Sequence, residues 1–496
     1  MSLDTASNPA TSTSPTFDPW HIAGLPIGAE IVATPTTEPV VFPHDGTEVG
    51  RAPVGTVELA ETALTAGLAA RPAAAAFGSG ARRAALLQVA AELGTHREEF
   101  IDLLIAETGK PRIDCTVEIT RTVFTWEAAA EEVSHLHGET VPMDLLPSGA
   151  GMIGFWQRKP IGLVIGVAGF NYPLMLASHK IAPAIAAGCP IICKPAPATP
   201  LATLWLADIV RRALVDQGAP AELVQLITGD AEVGRRLTTD PRIGAVSFTG
   251  SAAVGHQIAR DAAPRKALLE LGSNAALVVT ARADLDAAVD AALRGGFYAN
   301  GQACIAVQRL VVFDEVADTF AEKLLSRLGE VIVGDPREQD TRVAALINPA
   351  STDRVMEWID SAIAAGATLL AGGQRLDRAI SPTVLADVPA DAPLWCEEVF
   401  GPVVCLRRVA DLVEAVEVVN DSRYGLHAAI FTADLSEAFT AIEQLDAGGV
   451  VVNEVPGFRS DIMPYGGVKD SGIGREGPRF AIEEMTVTKM AIIRPN

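Results

Sequence analysis

Residues 163–195 read LVIGVAGFNYPLMLASHKIAPAIAAGCPIICKP. LVIGVAG (163–169) is an uncharged apolar run ending in glycine, the pattern of a strand buried on both faces. PLMLASHKIAPAIAAG (173–188) reads as a helix closed by Gly188 as its C-cap. PIICKP (190–195) then supplies the next strand. Strand, helix and strand in succession predict a parallel sheet with helices on its faces.

The alternation continues outward. LATLWLADIVRRALVDQG (201–218) is a helix, and LVQLITG (223–229) and AVSFTG (245–250) are strands. A second series runs from about residue 270 to about residue 455, with AALVV, QRLVVF, PTVLADV, PVVCLRRV, AAIFTA and GVVVNE as strands. At roughly 150 residues per domain, 496 residues suggest about three domains or two large ones. With 49% hydrophobic and 20% charged residues, a large core is expected and global disorder is excluded. The expected fold class is α/β, with two doubly wound parallel-sheet domains.

The net charge of −22 excludes a nucleic-acid binder, which needs clustered Lys and Arg. No Lys or Arg precedes Arg51, so neither a secretory nor an organellar leader is read at the start. Residues 1–17 are small, polar and Pro-bearing, and read as a disordered tail. The uncharged run 160–179 is interrupted by Gly, Pro and Asn and is not read as a membrane span. Six scattered Cys fit free thiols in a reducing cytoplasm, with no disulfide scaffold.

Several motifs are decoys. Gly472–Gly477 matches GxGxxG but has no strand before it and too little chain after it, so it reads as a glycine-rich surface loop. Tyr465 and Lys469 match a YxxxK pair that must ride on a helix; Gly466 and Gly467 make that helix improbable. Cys189 and Cys193 lie in apolar sequence and read as core thiols, so no metal site is expected.

Other residues gain weight from their company. Cys304 follows a glycine-containing turn and the aromatic pair Phe297–Tyr298. Glu270 ends the apolar run LLEL, where partial burial would raise its pKa toward general-base range. Asn171 stands at the carboxyl end of a strand, where α/β sheets bind ligands. Lys194, one of only eight Lys, ends a strand in apolar surroundings. FTGSAAVG (248–255) reads as strand, glycine turn and helix, with open amides suited to a phosphate.

From about residue 100 to the end, these elements resemble the aldehyde dehydrogenase superfamily. The motifs stand in that family's order: FNYP (170–173), KPAPATP (194–200), FTGSAAVG (248–255), LELGSNA (269–275), GQAC (301–304), EEVFGP (397–402) and PYGGVKDSGIGREG (464–477). The spacings agree as well, with 133 residues from Asn171 to Cys304 and 34 from Glu270 to Cys304.

The resemblance implies that Cys304 attacks an aldehyde, that Asn171 and the Cys304 N–H hold the oxyanion, and that Glu270 activates the water that releases a carboxylate through a thioester. It implies NAD or NADP as cofactor, with Lys194 at the adenine ribose, Gly250 and Ser251 at the pyrophosphate, and Glu398 and Phe400 at the nicotinamide ribose. The acid that many NAD-preferring members carry three residues after the Lys is replaced by Pro197, which implies that NADP is accepted. The context of Ser273, Gln308 and the loop 458–461 resembles a branch acting on small polar or anionic aldehydes, such as lactaldehyde or phosphonoacetaldehyde. Arg459 is then a candidate anion contact, although by itself it equally reads as a loop arginine paired with Asp461. Phe170, Phe297, Ile305 and Phe458 are the expected entrance residues.

The family architecture implies a cofactor domain at 18–140 and 160–269 and a catalytic domain at 270–460. It also implies oligomerisation strands at 141–159 and 483–496, and hence a homodimer or homotetramer. Partners beyond that are expected to be a small aldehyde, with no nucleic acid and no membrane. Two rival readings stand beside this one: a coenzyme-A-acylating semialdehyde dehydrogenase, against which Glu270 argues, and a non-catalytic member with a binding role, against which the presence of Cys304, Glu270 and Asn171 together argues.

Overall fold

The computed structural model of the chain describes residues 17–495. The tail expected at 1–17 therefore lies, but for Phe17, outside the described residues.

The apolar runs become two large sheets. In the first, Val164–Val167 is central. The chain lays Ile191–Lys194 and Val224–Leu226 in parallel on one side of it, then returns to lay Ala245–Thr249 and Lys266–Glu270 on the other. The direction of winding reverses between Val164–Val167 and Ala245–Thr249. Such a reversal opens a crevice at the carboxyl ends of the two strands, where α/β folds bind ligands. Asn171 follows one of these strands, and Gly250 and Ser251 follow the other.

One expectation is corrected here. The GxGxxG stretch does not form a surface loop throughout. Gly472–Ile473 is a short antiparallel strand that pairs with Leu269 and Glu270 and closes the edge of the first sheet. Gly472 permits this because a Cβ there would stand 2.5 Å from the Leu269 carbonyl oxygen.

The second sheet has seven strands, in the order Thr368–Ala371, Thr383–Ala386, Val403–Val409, Arg309–Phe313, Ala276–Val279, His427–Phe431 and Gly449–Val452. All pairs are parallel except the first. Alternate residues feed opposite faces: Ala276, Val278 and Val311 enter one core, and Leu277, Val279, Leu310 and Val312 the other. The uncharged run 160–179 resolves into strand, turn and helix, and no helix among the described residues is long and apolar enough to cross a membrane. A third, antiparallel sheet joins Thr486–Ile493, Ile153–Pro160 and Glu139–Val141 of the same chain.

Two helices behind the first sheet start without a side-chain cap of their own. Pro173–Ala187 instead receives Glu118, whose carboxylate accepts from the N–H groups of Leu174 and Met175 at 3.0 and 3.2 Å. Leu201–Asp216 receives Glu107, which accepts from Leu201 and Ala202 at 2.8 and 3.1 Å. Orphan amides at a helix start favour such carboxylates. Glu118 also forms a fully buried ion pair with Lys110, whose ammonium lies 3.7 Å from the centroid of the Tyr172 ring.

Removing one partner of a buried pair strands the other charge. Glu118→Ala is therefore expected to lower unfolding free energy by about 3–5 kcal/mol. Urea unfolding at constant slope measures it, and a loss below about 1 kcal/mol would contradict this account.

Candidate active site

The turn before Cys304 is strained. Ala299, Asn300 and Gly301 have φ of 49°, 61° and 72°, three consecutive residues in the left-handed region. Each non-glycine residue there costs about 1–3 kcal/mol, so the surroundings must impose the conformation. Asp114 accepts from the Ala299 N–H at 2.9 Å. The Asn300 amide donates to the carbonyls of Gly109 and Ala345 at 3.1 and 3.0 Å and accepts from the Ala344 N–H at 2.7 Å. Gly301 is required by space, since a Cβ would lie 2.1 Å from the Gly401 oxygen.

This turn delivers Cys304 into a cavity of about 390 Å³. The cavity lies between the carboxyl end of the first sheet and the segments that lead into Arg309–Phe313 and Val403–Val409. Ten of the residues expected from sequence line it: Phe170, Asn171, Gly250, Ser251, Glu270, Cys304, Ile305, Glu398, Phe400 and Arg459. Asn171 Nδ2 donates to the Gln302 carbonyl at 2.8 Å, which holds the amide beside the nucleophile turn and leaves its second N–H as a further donor.

Two of the expected entrance residues do not line this cavity. Phe297 is 1% exposed and packs in the core of the second sheet, because it closes the buried face of the helix Leu285–Phe297. Phe458 does not line the cavity either; its side chain is 53% exposed while the neighbouring Arg459 turns inward toward Asp461 and Glu476. Lys194 stands outside the cavity at the end of Ile191–Lys194, in register with Val167 and thus at the same end of the sheet as Asn171. Burial lowers its pKa, and the charge that opposes this is Asp230.

Burial raises the pKa of all three acids at the centre of the cavity. Burial pushes the Cys304 thiol up to about 12, with Glu398 and Glu270 acting in the same direction. Burial, then the charge of Glu476, holds the Glu270 carboxyl well above the ordinary range, and its Oε2 has no hydrogen-bond partner. Burial raises Glu398 to about 7, although its Oε1 accepts from the Ser273 N–H at 3.0 Å.

Sequence reasoning missed the wall opposite these groups. Arg121, Tyr298, Tyr465 and Glu476 also line the cavity. Arg121 makes a two-point contact with Asp461 at 2.6 and 3.0 Å. Glu476 receives His179 at 2.9 Å, Lys180 at 3.3 Å and Arg459 at 3.3 Å. Arg459 is thus a paired arginine, as one expectation had it, but it is buried on the cavity wall and not at the surface. Its buried Nε lies 3.4 Å from Asp461 Oδ1 without forming a well-aligned hydrogen bond. Arg121, Arg459 and Lys180 thus converge on two carboxylates, Asp461 and Glu476. No local pattern marks Arg121; Tyr465 and Glu476 lie in the motif PYGGVKDSGIGREG (464–477), which by itself assigns them no role.

The residues fit a dinucleotide. Ser251 precedes the helix Ala252–Ala262 without capping it, so the first-turn amides are open to a phosphate. Gly272 makes room for Glu398, since a Cβ would stand 2.8 Å from its Oε2. Among the described residues no group of three or more His, Cys, Asp or Glu could hold a metal ion.

Known proteins are similar to this chain in sequence and in fold. The sequence profile of the aldehyde dehydrogenase family matches residues 31–491. A lactaldehyde dehydrogenase of Methanococcus aeolicus is 38% identical over 409 residues, 82% of this chain and 86% of that protein. The crystal structure of aldehyde dehydrogenase 21 from Physcomitrella patens, in complex with the reaction product succinate, superposes with a TM-score of 0.92 at 37% identity, covering 96% of this chain and 99% of that one. That of glyceraldehyde-3-phosphate dehydrogenase GapN from Methanocaldococcus jannaschii, complexed with NADP, gives 0.89 at 34% identity, covering 93% and 100%.

Asn300→Ala removes three buried hydrogen bonds and places Ala at a left-handed φ. It is expected to cost about 2–4 kcal/mol and to lower the melting temperature, measured by calorimetry.

Proposed function

This chain belongs to the aldehyde dehydrogenase family, and from that premise we propose that it oxidises small anionic or strongly polar aldehydes to carboxylates with NAD or NADP. The observation that carries the substrate class is the wall of Arg121 and Arg459. Both guanidinium groups line the cavity that holds Cys304, and Arg459 is buried there beside Asp461 and Glu476. Two of the three similar proteins named above, one a lactaldehyde dehydrogenase and one crystallised with its product succinate, support the same class.

Cys304 is the nucleophile, and its sulfur adds to the aldehyde carbon. The oxygen that becomes charged is held by the Asn171 amide and the Cys304 N–H. When bound, the nicotinamide supplies the acceptor for the hydride. Glu270 takes a proton from the water that cleaves the Cys304 thioester, and this base supports a free carboxylate over an acylated coenzyme A. Ser251, Glu398 and Lys194 would hold the dinucleotide. Position 197 presents Pro instead of an acid, which supports use of NADP; Asp230 is the carboxylate that acts on Lys194. The strand Thr486–Ile493 presents Val487, Met490 and Ile492 to solvent at an open sheet edge, which supports assembly with further copies.

Arg459→Ala is expected to raise KM for anionic aldehydes by about tenfold to a hundredfold, the worth of one charge-assisted hydrogen bond, and to leave KM for neutral aldehydes of similar size within about twofold. Cofactor reduction across an aldehyde panel, with each dinucleotide and with or without coenzyme A, measures this. Equal effects on both classes refute the anion contact. A preference for NAD beyond about a thousandfold refutes NADP use.

Cys304 and Glu270 must both lose protons that burial helps them keep. Turnover is therefore expected to rise with pH through the neutral and into the alkaline range, and a flat profile would count against this pair of roles.

A further inference from the structure

Tyr465, set aside as half of a helical Tyr–Lys pair, places its hydroxyl oxygen 3.2 Å from Cys304 Sγ. It is the one hydrogen-bond partner of that sulfur among the described residues. The side chain is 2% exposed, and its main chain is pinned on both sides: Tyr465 N–H donates to the Glu476 carbonyl at 3.0 Å, and Glu476 N–H donates back at 2.6 Å. The Arg459 guanidinium lies 3.9 Å from the ring centroid, and the His427 ring meets it edge-on at 5.0 Å.

A cysteine nucleophile needs something that favours its thiolate, commonly a neighbouring histidine, a cation or a helix N-terminus. No histidine bonds to this sulfur. The charged and titratable groups acting on it are Glu398 and Glu270, which oppose the thiolate, Arg459, which favours it, and the Tyr298 and Tyr465 phenols. Of these, Tyr465 alone reaches the sulfur with a donor. The cation over its ring draws electron density from the π face and makes the O–H a better donor.

We infer that Tyr465 is a catalytic residue, whose hydroxyl donates a hydrogen bond to the Cys304 sulfur and stabilises the thiolate that attacks the aldehyde. The inference rests on the reading of Cys304 as nucleophile. Tyr465 gives a hydrogen bond and not a proton. Burial holds its phenol well above the ordinary value, so it stays protonated, and the thiol proton leaves to another base or to water. Once the sulfur has bonded to carbon it carries no charge and needs the donor less, so the contact favours the attacking form.

Tyr465→Phe keeps the ring, its packing and the Arg459 stack, and removes only the donor. The test is the pH dependence of Cys304 alkylation by iodoacetamide, followed on the Cys304 peptide by mass spectrometry in the full chain without aldehyde. The variant curve is expected to move about one to two units to higher pH, so that alkylation at pH 8 slows about tenfold or more. Turnover should fall by a similar factor near neutrality and converge with that of the parent at high pH. Superimposable alkylation curves overturn the proposal, as does a loss of turnover that is equal at every pH. Cys304→Ala tests the underlying reading separately: if that variant still oxidises aldehydes, Cys304 is not the nucleophile, whatever the alkylation curves show.

Discussion

Glu118 ties the N-terminus of one helix to a buried lysine, and the helix that carries it, Arg112–Glu132, ties together much of the active site. Asp114, Glu118 and Arg121 follow one another at helical spacing and share a face. Asp114 grips the strained turn before Cys304. Glu118 grips the start of the helix that follows Asn171. Arg121 grips Asp461, beside Arg459. Cys304, Asn171 and Arg459 come from distant parts of the chain, and a single helix sets their relative positions. The left-handed turn can be sustained only because these bonds over-determine it.

Burial then sets the chemistry. The cavity withdraws Cys304, Glu270 and Glu398 from water and raises all three. A resting thiol is protected from unproductive reaction but must be activated for attack. The structure offers two sources of help, the Tyr465 hydroxyl and the positive field of Arg459. Glu476 performs the opposite service. Burial works against its ionisation, yet Lys180, His179 and Arg459 outweigh burial and hold it well below the ordinary carboxyl range. Its negative charge in turn raises Glu270 further. Two carboxyls that line one cavity are thus shifted in opposite directions by their neighbours.

Both sheets were legible because buried parallel strands are written as continuous apolar runs, and Gly188 closed its helix in the left-handed conformation that glycine favours. Cys304, Glu270 and Asn171 were legible because each sits in a short motif at a fixed place beside a strand or turn. The entrance was not. Phe297 and Phe458 flank the site in sequence, yet one faces the core and the other solvent. Side-chain direction at the end of a helix or in a loop depends on what packs against it, which no local pattern records.

The sequence by itself determined the α/β class, the order of the strands along the chain and the motifs that hold Asn171, Glu270 and Cys304, because periodicity and motif are local properties of the chain. Only the tertiary structure decided that Arg121 meets Asp461 across 340 residues, that Tyr465 touches Cys304 across 161, and that a glycine-rich stretch near the end of the chain closes a sheet begun some 300 residues earlier. These contacts follow from packing and charge pairing between segments that the fold brings together, and their energies exist only once the intervening chain is in place.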